Sequence, residues 1–177
     1  MNRRDSNGLL RNLKMNAQLS ASATAARAHQ EMFAYWASLR RGAALPARVD
    51  LSPLGIKRML PTVSLIDVVN EPRDYKLRLA GTGLYGVYGR EITGKGLSDV
   101  YNTSAGDYWR KELDKVVDGR RPGVGVHSMA WRGAPHVSIL WLRLPLASNG
   151  KDVDMILGYD AIMGSASDHG FSGIRAA

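Results

Sequence analysis

Three turn signals decide most of what this chain can fold into. Asn70-Glu71-Pro72-Arg73-Asp74, Arg132-Gly133-Ala134-Pro135 and Ser148-Asn149-Gly150-Lys151 each separate two runs of strand character. Ahead of the first, Thr62 to Val69 is β-branched and apolar. After it, Tyr75, Leu77 and Leu79 alternate with Lys76 and Arg78, the pattern of a strand with one wet face. The other two turns separate Val124–Trp131, His136–Leu146 and Val153–Met163; in the last of these Val153, Met155, Leu157 and Tyr159 share a face. Turns this short join only antiparallel neighbours. The pattern predicts an antiparallel sheet of five strands, two from the front of the chain and three from the back.

The stretches between and before the strands read as helices. Gly81 to Gly89 is punctuated by glycine and suits short helical turns. Ser104 to Val117 carries Trp109, Leu113 and Val116/Val117 on one face and ends at Gly119. Ala25, Ala28, Met32, Trp36 and Leu39 recur at helical spacing; Arg40 and Arg41 suit the negative end of a helix dipole and Gly42 the C′ position, so a helix is expected over 25–41. Ser52-Pro53 starts a short helix that Pro61 closes. The predicted class is α+β: a five-stranded antiparallel sheet, central short helices on one face and an N-terminal flanking helix. Residues 1–24 read as a basic flexible leader, 25–163 as one domain and 164–177 as a flexible tail.

Composition narrows the chemistry. The chain of 177 residues has no cysteine, which excludes disulfides, thiolate metal sites and thiol nucleophiles. No apolar run approaches the roughly 18 residues of a membrane helix, and residues 1–26 hold no secretory core, so a cytoplasmic location is expected. The net charge of +8 is local: residues 1–60 hold ten Lys/Arg and three acids, and residues 61–177 hold fourteen and thirteen. A basic arm of this kind suits a nucleic acid, an anionic lipid or an acidic partner, so a nucleic-acid-associated regulator is the alternative function. No recognition-helix or zinc-finger spacing accompanies it.

Two glycine motifs mimic nucleotide loops. Gly81-Thr82-Gly83-Leu84-Tyr85-Gly86 follows a strand, but that strand is one arm of a hairpin and Asp99 does not end an apolar strand, so the parallel unit a dinucleotide requires is missing. Gly89 to Gly96 lacks the magnesium-binding hydroxyl after Lys95. The four histidines, His29, His127, His136 and His169, have no metal-ligand spacing, and no nucleophile–base set is readable. No catalytic or metal residues are assigned. The lowest-ranked reading is a small enzyme pairing His127 with Asp67 or Asp160.

The order strand, strand, helices, strand, strand, strand resembles a PAS domain. The wording is closest to the single-domain PAS proteins of alphaproteobacteria. It is carried by Tyr35-Trp36, Leu39-Arg40-Arg41-Gly42, Leu45-Pro46-Ala47-Arg48-Val49-Asp50, Pro53-Leu54, Leu60-Pro61, Arg78-Leu79-Ala80-Gly81-Thr82, Gly89-Arg90 and Thr93-Gly94-Lys95, over residues 30 to 162. The resemblance implies a non-catalytic bacterial sensory and interaction module with a ligand pocket between sheet and helices. Tyr85, Tyr88, Trp109, His127, Met129 and Trp141 are the ligand-binding candidates, with Tyr101 and Trp131 beside them. On the strand 124–131, His127, Met129 and Trp131 share one face and Val124, Val126 and Ser128 the other, and either could point inward.

The resemblance also bears on cofactors and partners. A cysteine-linked chromophore is excluded, haem is disfavoured because Ser104–Val117 has no histidine, and a flavin or another small molecule stays open. No output segment follows the core, so output is expected through an unidentified signalling protein. Phe33, Tyr35 and Trp36 form the expected interaction surface, and a homodimer is the expected assembly.

Overall fold

A computed structural model describes residues 3–164, with side chains from residue 20 onward. Residues 1–2 and 165–177 and the side chains of 3–19 lie outside the described residues, and with them the expected tail beyond residue 164. The strands are β1 (Val63–Val69), β2 (Asp74–Ala80), β3 (Gly123–Met129), β4 (Ala134–Leu146) and β5 (Met155–Met163). They form one antiparallel sheet in the order β2-β1-β5-β4-β3. The last strand in sequence thus sits at the centre, clamped between the two hairpin groups.

The sheet has helices on both faces. On the inner face lie α2 (Thr82–Tyr88), α3 (Leu97–Val100) and α4 (Thr103–Gly119). The Asn102 side chain accepts from the Ala105 N–H at 2.9 Å and caps α4, and Arg120, with φ of 49°, ends it. Its buried stripe is Ala105, Trp109, Leu113 and Val116. On the outer face lies α1, which runs Arg3–Ser38. Its helical backbone extends well before the expected start at Ala25: no proline interrupts 3–38, and good helix formers dominate. Turn bonds from Leu39 and Arg40 to Trp36 and Ala37 close it, and Gly42 adopts φ of 67°.

The stripe that docks α1 is Ala25, His29, Met32 and Trp36, each below 9% exposed. His29 joins the stripe at +4, +3, +4 spacing, and the expected Ala28 packs partly buried beside it. The His29 Nε2 is 2.9 Å from the Leu140 carbonyl, and its ring meets Tyr159 edge-on at 5.4 Å. Short 3-10 turns at Arg48–Asp50, Pro53–Ile56 and Leu60–Thr62 lead from α1 into β1.

The expected interaction surface of Phe33, Tyr35 and Trp36 is largely spent on this docking. Trp36 is buried, with its indole N–H donating to the Pro145 carbonyl at 2.9 Å. The Tyr35 hydroxyl both donates to the Ser52 carbonyl and accepts from the Ser52 N–H, and its ring lies against Gly55. Phe33 alone of the three is exposed, at 45%. A helix with one face on its own sheet presents the opposite side, and Phe33 is the residue at that border. Trp36→Ala is therefore expected to cost about 3–5 kcal/mol in urea unfolding, whereas Phe33→Ser should stay within about 0.5 kcal/mol.

Candidate functional site

Alternation along the strands decides what faces inward. Trp141 pairs with Asp160 and Gly125, and Arg143 with Gly158 and Gly123, so these side chains share the inner face. Val124, Val126 and Leu142 take the outer face. The open question on β3 is thereby answered: His127 points in and Val124 and Val126 point out, at 64% and 56% exposed.

Three glycines make room for two large side chains. A Cβ on Gly125 would lie 2.6 Å from the Trp141 ring, and one on Gly123 2.9 Å from Val116. A Cβ on Gly158 would collide with Ser64 and sit 3.1 Å from the Arg143 guanidinium. Glycine here serves close approach, and the indole and guanidinium lie flat across the sheet where its pleat carries no side chain.

At the centre is a buried ion pair. Arg143 and Asp160 both have side chains 3% exposed. The guanidinium donates twice to the carboxylate, from Nη1 at 2.7 Å and from Nη2 at 3.4 Å, and Nη1 also reaches the Leu142 carbonyl. Burial works against the Arg143 charge, and the Asp160 carboxylate more than restores it, leaving the group above the ordinary arginine value. The guanidinium lies 4.7 Å from the Trp109 ring centroid and 5.9 Å from that of Trp141.

An aromatic shell closes around the pair. Tyr88 and Tyr101 share a hydroxyl hydrogen bond of 3.0 Å. Burial raises both phenols, Tyr101 to about 12, so both are neutral. Tyr101 contacts Trp109 and Trp131 at centroid distances of 5.9 and 5.3 Å. His127 stacks on Tyr108 at 4.4 Å, and the Trp141 indole donates to the Tyr108 hydroxyl at 2.9 Å. The space left between Ile66, Tyr88, Tyr101, Trp109, Arg143 and Asp160 is about 10 Å³, at most a single water. Among the described residues, Arg143 Nε and the indole N–H groups of Trp109 and Trp131 are buried donors without a partner, and Nε2 of His127 is likewise unpaired.

Of the ligand-binding candidates, Tyr88 and Trp109 line the central space, and His127 and Trp141 pack against Trp109 behind it. Met129 is buried at the irregular end of β3, outside the lining of the central space. Tyr85 does not face the sheet: α2 buries Leu84, Val87 and Tyr88 and leaves Tyr85 57% exposed. Residue-level reading also misses the ion pair itself. Its signal is a charge flanked on both sides by apolar residues, Arg143 in Leu142-Arg143-Leu144 and Asp160 in Tyr159-Asp160-Ala161. Neither acid offered above as a partner for His127 is free for it: Asp160 is held by Arg143, and Asp67 by Arg78 at 2.7 Å. His136 is exposed, whereas His127 is half-buried.

The nucleotide-like motifs have structural uses. Gly81 and Gly83 pack against the backbone of Pro61. Gly89 is the left-handed cap of α2, closely approached by the Arg132 guanidinium, which also donates to the Val87 carbonyl. Lys95 is exposed on the loop before α3.

Removing one partner of the ion pair strands the other. Asp160→Asn is expected to lose about 3–5 kcal/mol, and Arg143→Met with Asp160→Leu should be less destabilising than either single change in denaturant unfolding. Burial lowers the pKa of both His29 and His127 below the ordinary 6.5. Each therefore adds stability that is complete above pH 6.5 and declines as the pH falls toward the folded value. Unfolding free energy measured across this range should fall with acidification, and less steeply in His127→Gln.

A family model described as PAS domain matches residues 24–161, well over half of the chain. No curated protein matches it. Among solved structures, that of a point variant of RsLOV aligns with a TM-score of 0.43 at 18% identity, over 63% of this chain and 65% of that one. With a five-stranded antiparallel sheet, inner-face helices over a closed aromatic core and a family model spanning nearly all of it, this chain belongs to the PAS domain family.

Proposed function

We propose that this PAS domain is a non-catalytic sensory module of bacterial signalling whose inner face takes a small ligand and whose output passes through protein contact. The observation that supports it is the Arg143–Asp160 pair, set in an aromatic shell with N–H donors left over. A buried ion pair adds little to stability beyond what apolar packing supplies, so its presence fits a role in recognition. Each unpaired buried donor costs about 1–3 kcal/mol until an acceptor reaches it. The ligand class that suits Arg143 Nε and Trp109 Nε1 is a compact molecule with a carbonyl or other acceptor oxygen. At about 10 Å³ of space, anything larger than water must displace a lining side chain such as Tyr101 or Trp109. A flavin would enter only with several of these rings swung away. Entry is then coupled to side-chain movement, which is the property a sensor requires.

A homodimer is the assembly this reading carries. β3 is an edge strand, and its outer residues Val124 and Val126 adjoin an apolar groove of about 280 Å³ against His29, Phe33, Pro122 and Leu142. A second copy covering that face would bury Phe33 and both valines.

Two measurements test the proposal. Native mass spectrometry with an absorption spectrum of the purified protein should show a non-covalent extra mass that Arg143→Met with Asp160→Leu loses. A bare mass in every preparation, with no thermal shift from small carbonyl compounds, would remove the ligand half. Light scattering should give a dimer in the wild type and a monomer in Val124→Lys with Val126→Lys.

A further inference from the structure

The segment between α1 and β1 carries an apolar and cationic surface that the sensory reading leaves unused. Val49 is 88% and Leu54 84% exposed, the two most exposed large apolar side chains described. They stand on neighbouring 3-10 turns, Arg48–Asp50 and Pro53–Ile56. The second turn is fixed to the C-terminal end of α1 and the first to the residues just beyond it. Arg41 lies 3.5 Å from Asp50, and Tyr35 exchanges hydrogen bonds with Ser52 while its ring covers Gly55. The two aliphatic side chains are thus presented by an anchored platform.

Along this segment the charge is mostly basic. Arg40, Arg41, Arg48, Lys57 and Arg58 all reach solvent. Between Glu31 and Asp67 the single acid is Asp50, and its carboxylate already accepts the Ala47 N–H and faces Arg41. Among the described residues, Arg48, Lys57 and Arg58 take part in no ion pair.

We infer that this platform is a peripheral docking surface for an anionic membrane, with Val49 and Leu54 entering the headgroup layer and the flanking arginines and lysine facing lipid phosphates. Charge complementarity selects an anionic occupant. The apolar groups project outward, so the occupant must yield to them, as a fluid interface does. The groove that Val49 itself borders, between 39–50 and 147–150, mixes Arg41, Asp50 and Ser148 with its apolar lining and offers an acidic peptide no continuous apolar track. Two weak signals combined, insertion and charge, give reversible binding.

Co-sedimentation of the full chain with vesicles tests this. Phosphatidylcholine vesicles containing phosphatidylglycerol should bind the protein, pure phosphatidylcholine should not, and added salt should weaken the binding. Lys57→Gln with Arg58→Gln should lower partitioning about thirtyfold, from two cations at about 1 kcal/mol each. Val49→Ser with Leu54→Ser should lower it at unchanged charge. All four positions are exposed, so circular dichroism should show both variants folded. Absence of binding to the anionic vesicles would overturn the inference. So would undiminished binding by both variants, which would move the contact to the basic N-terminal arm. Binding to soluble polyglutamate without binding to vesicles would overturn it in favour of an acidic protein.

Discussion

The Arg143 guanidinium held against the Asp160 carboxylate is the constraint around which the inner face is arranged. Taking both ions out of water costs several kcal/mol each, and they persist only where every neighbour cooperates. Gly158 leaves the volume the guanidinium occupies, and Trp109 offers it a ring face 4.7 Å away. That contact in turn sets how α4 lies on the sheet, because Trp109 is the residue of α4 that touches Arg143, Tyr101, His127 and Trp141. Trp141 lies over Gly125, and its indole is tied to Tyr108 of the same helix. Sheet, helix and ion pair therefore form one closed polar core inside an apolar shell.

The outer face answers a different demand. Leu142 and Leu144 alternate with Trp141 and Arg143 on β4, so one strand supports both layers. Above the outer layer, α1 is anchored by Met32 and by the Trp36 indole on the Pro145 carbonyl. A shift of Arg143 on one side of β4 is mechanically adjacent to α1 on the other. Among the described residues, the β3 edge with Val124 and Val126 and the 3-10 turns with Val49 and Leu54 carry the most exposed large apolar side chains apart from Tyr85.

Much of the fold is legible in local chemistry. Each expected strand is present within a residue or two, because turn residues and period-two alternation act over a few positions. The helical stripe of α1 is legible in period, with Ala28 at its partly buried border, but the polar His29 at its centre is missed because only the docked surface reveals it. Tyr85 is misplaced for a related reason: seven residues of α2 give too little pattern to tell the buried side from the wet one. The nucleotide-like motif is correctly set aside for want of a parallel unit, and Pro61 is what Gly81 and Gly83 pack against.

What the sequence determined by itself is therefore the set of elements, their antiparallel joining, the helix over the centre and the chemistry excluded by a chain without cysteine. These follow from interactions between residues near one another along the chain. The tertiary structure alone decided that His127 turns inward, that Trp36 is core, and that Arg143 meets Asp160 across β4 and β5. Those outcomes depend on strand register and on the space that distant glycines leave. A charge in an apolar run is visible in a sequence, but only the register of two strands tells which opposite charge neutralises it.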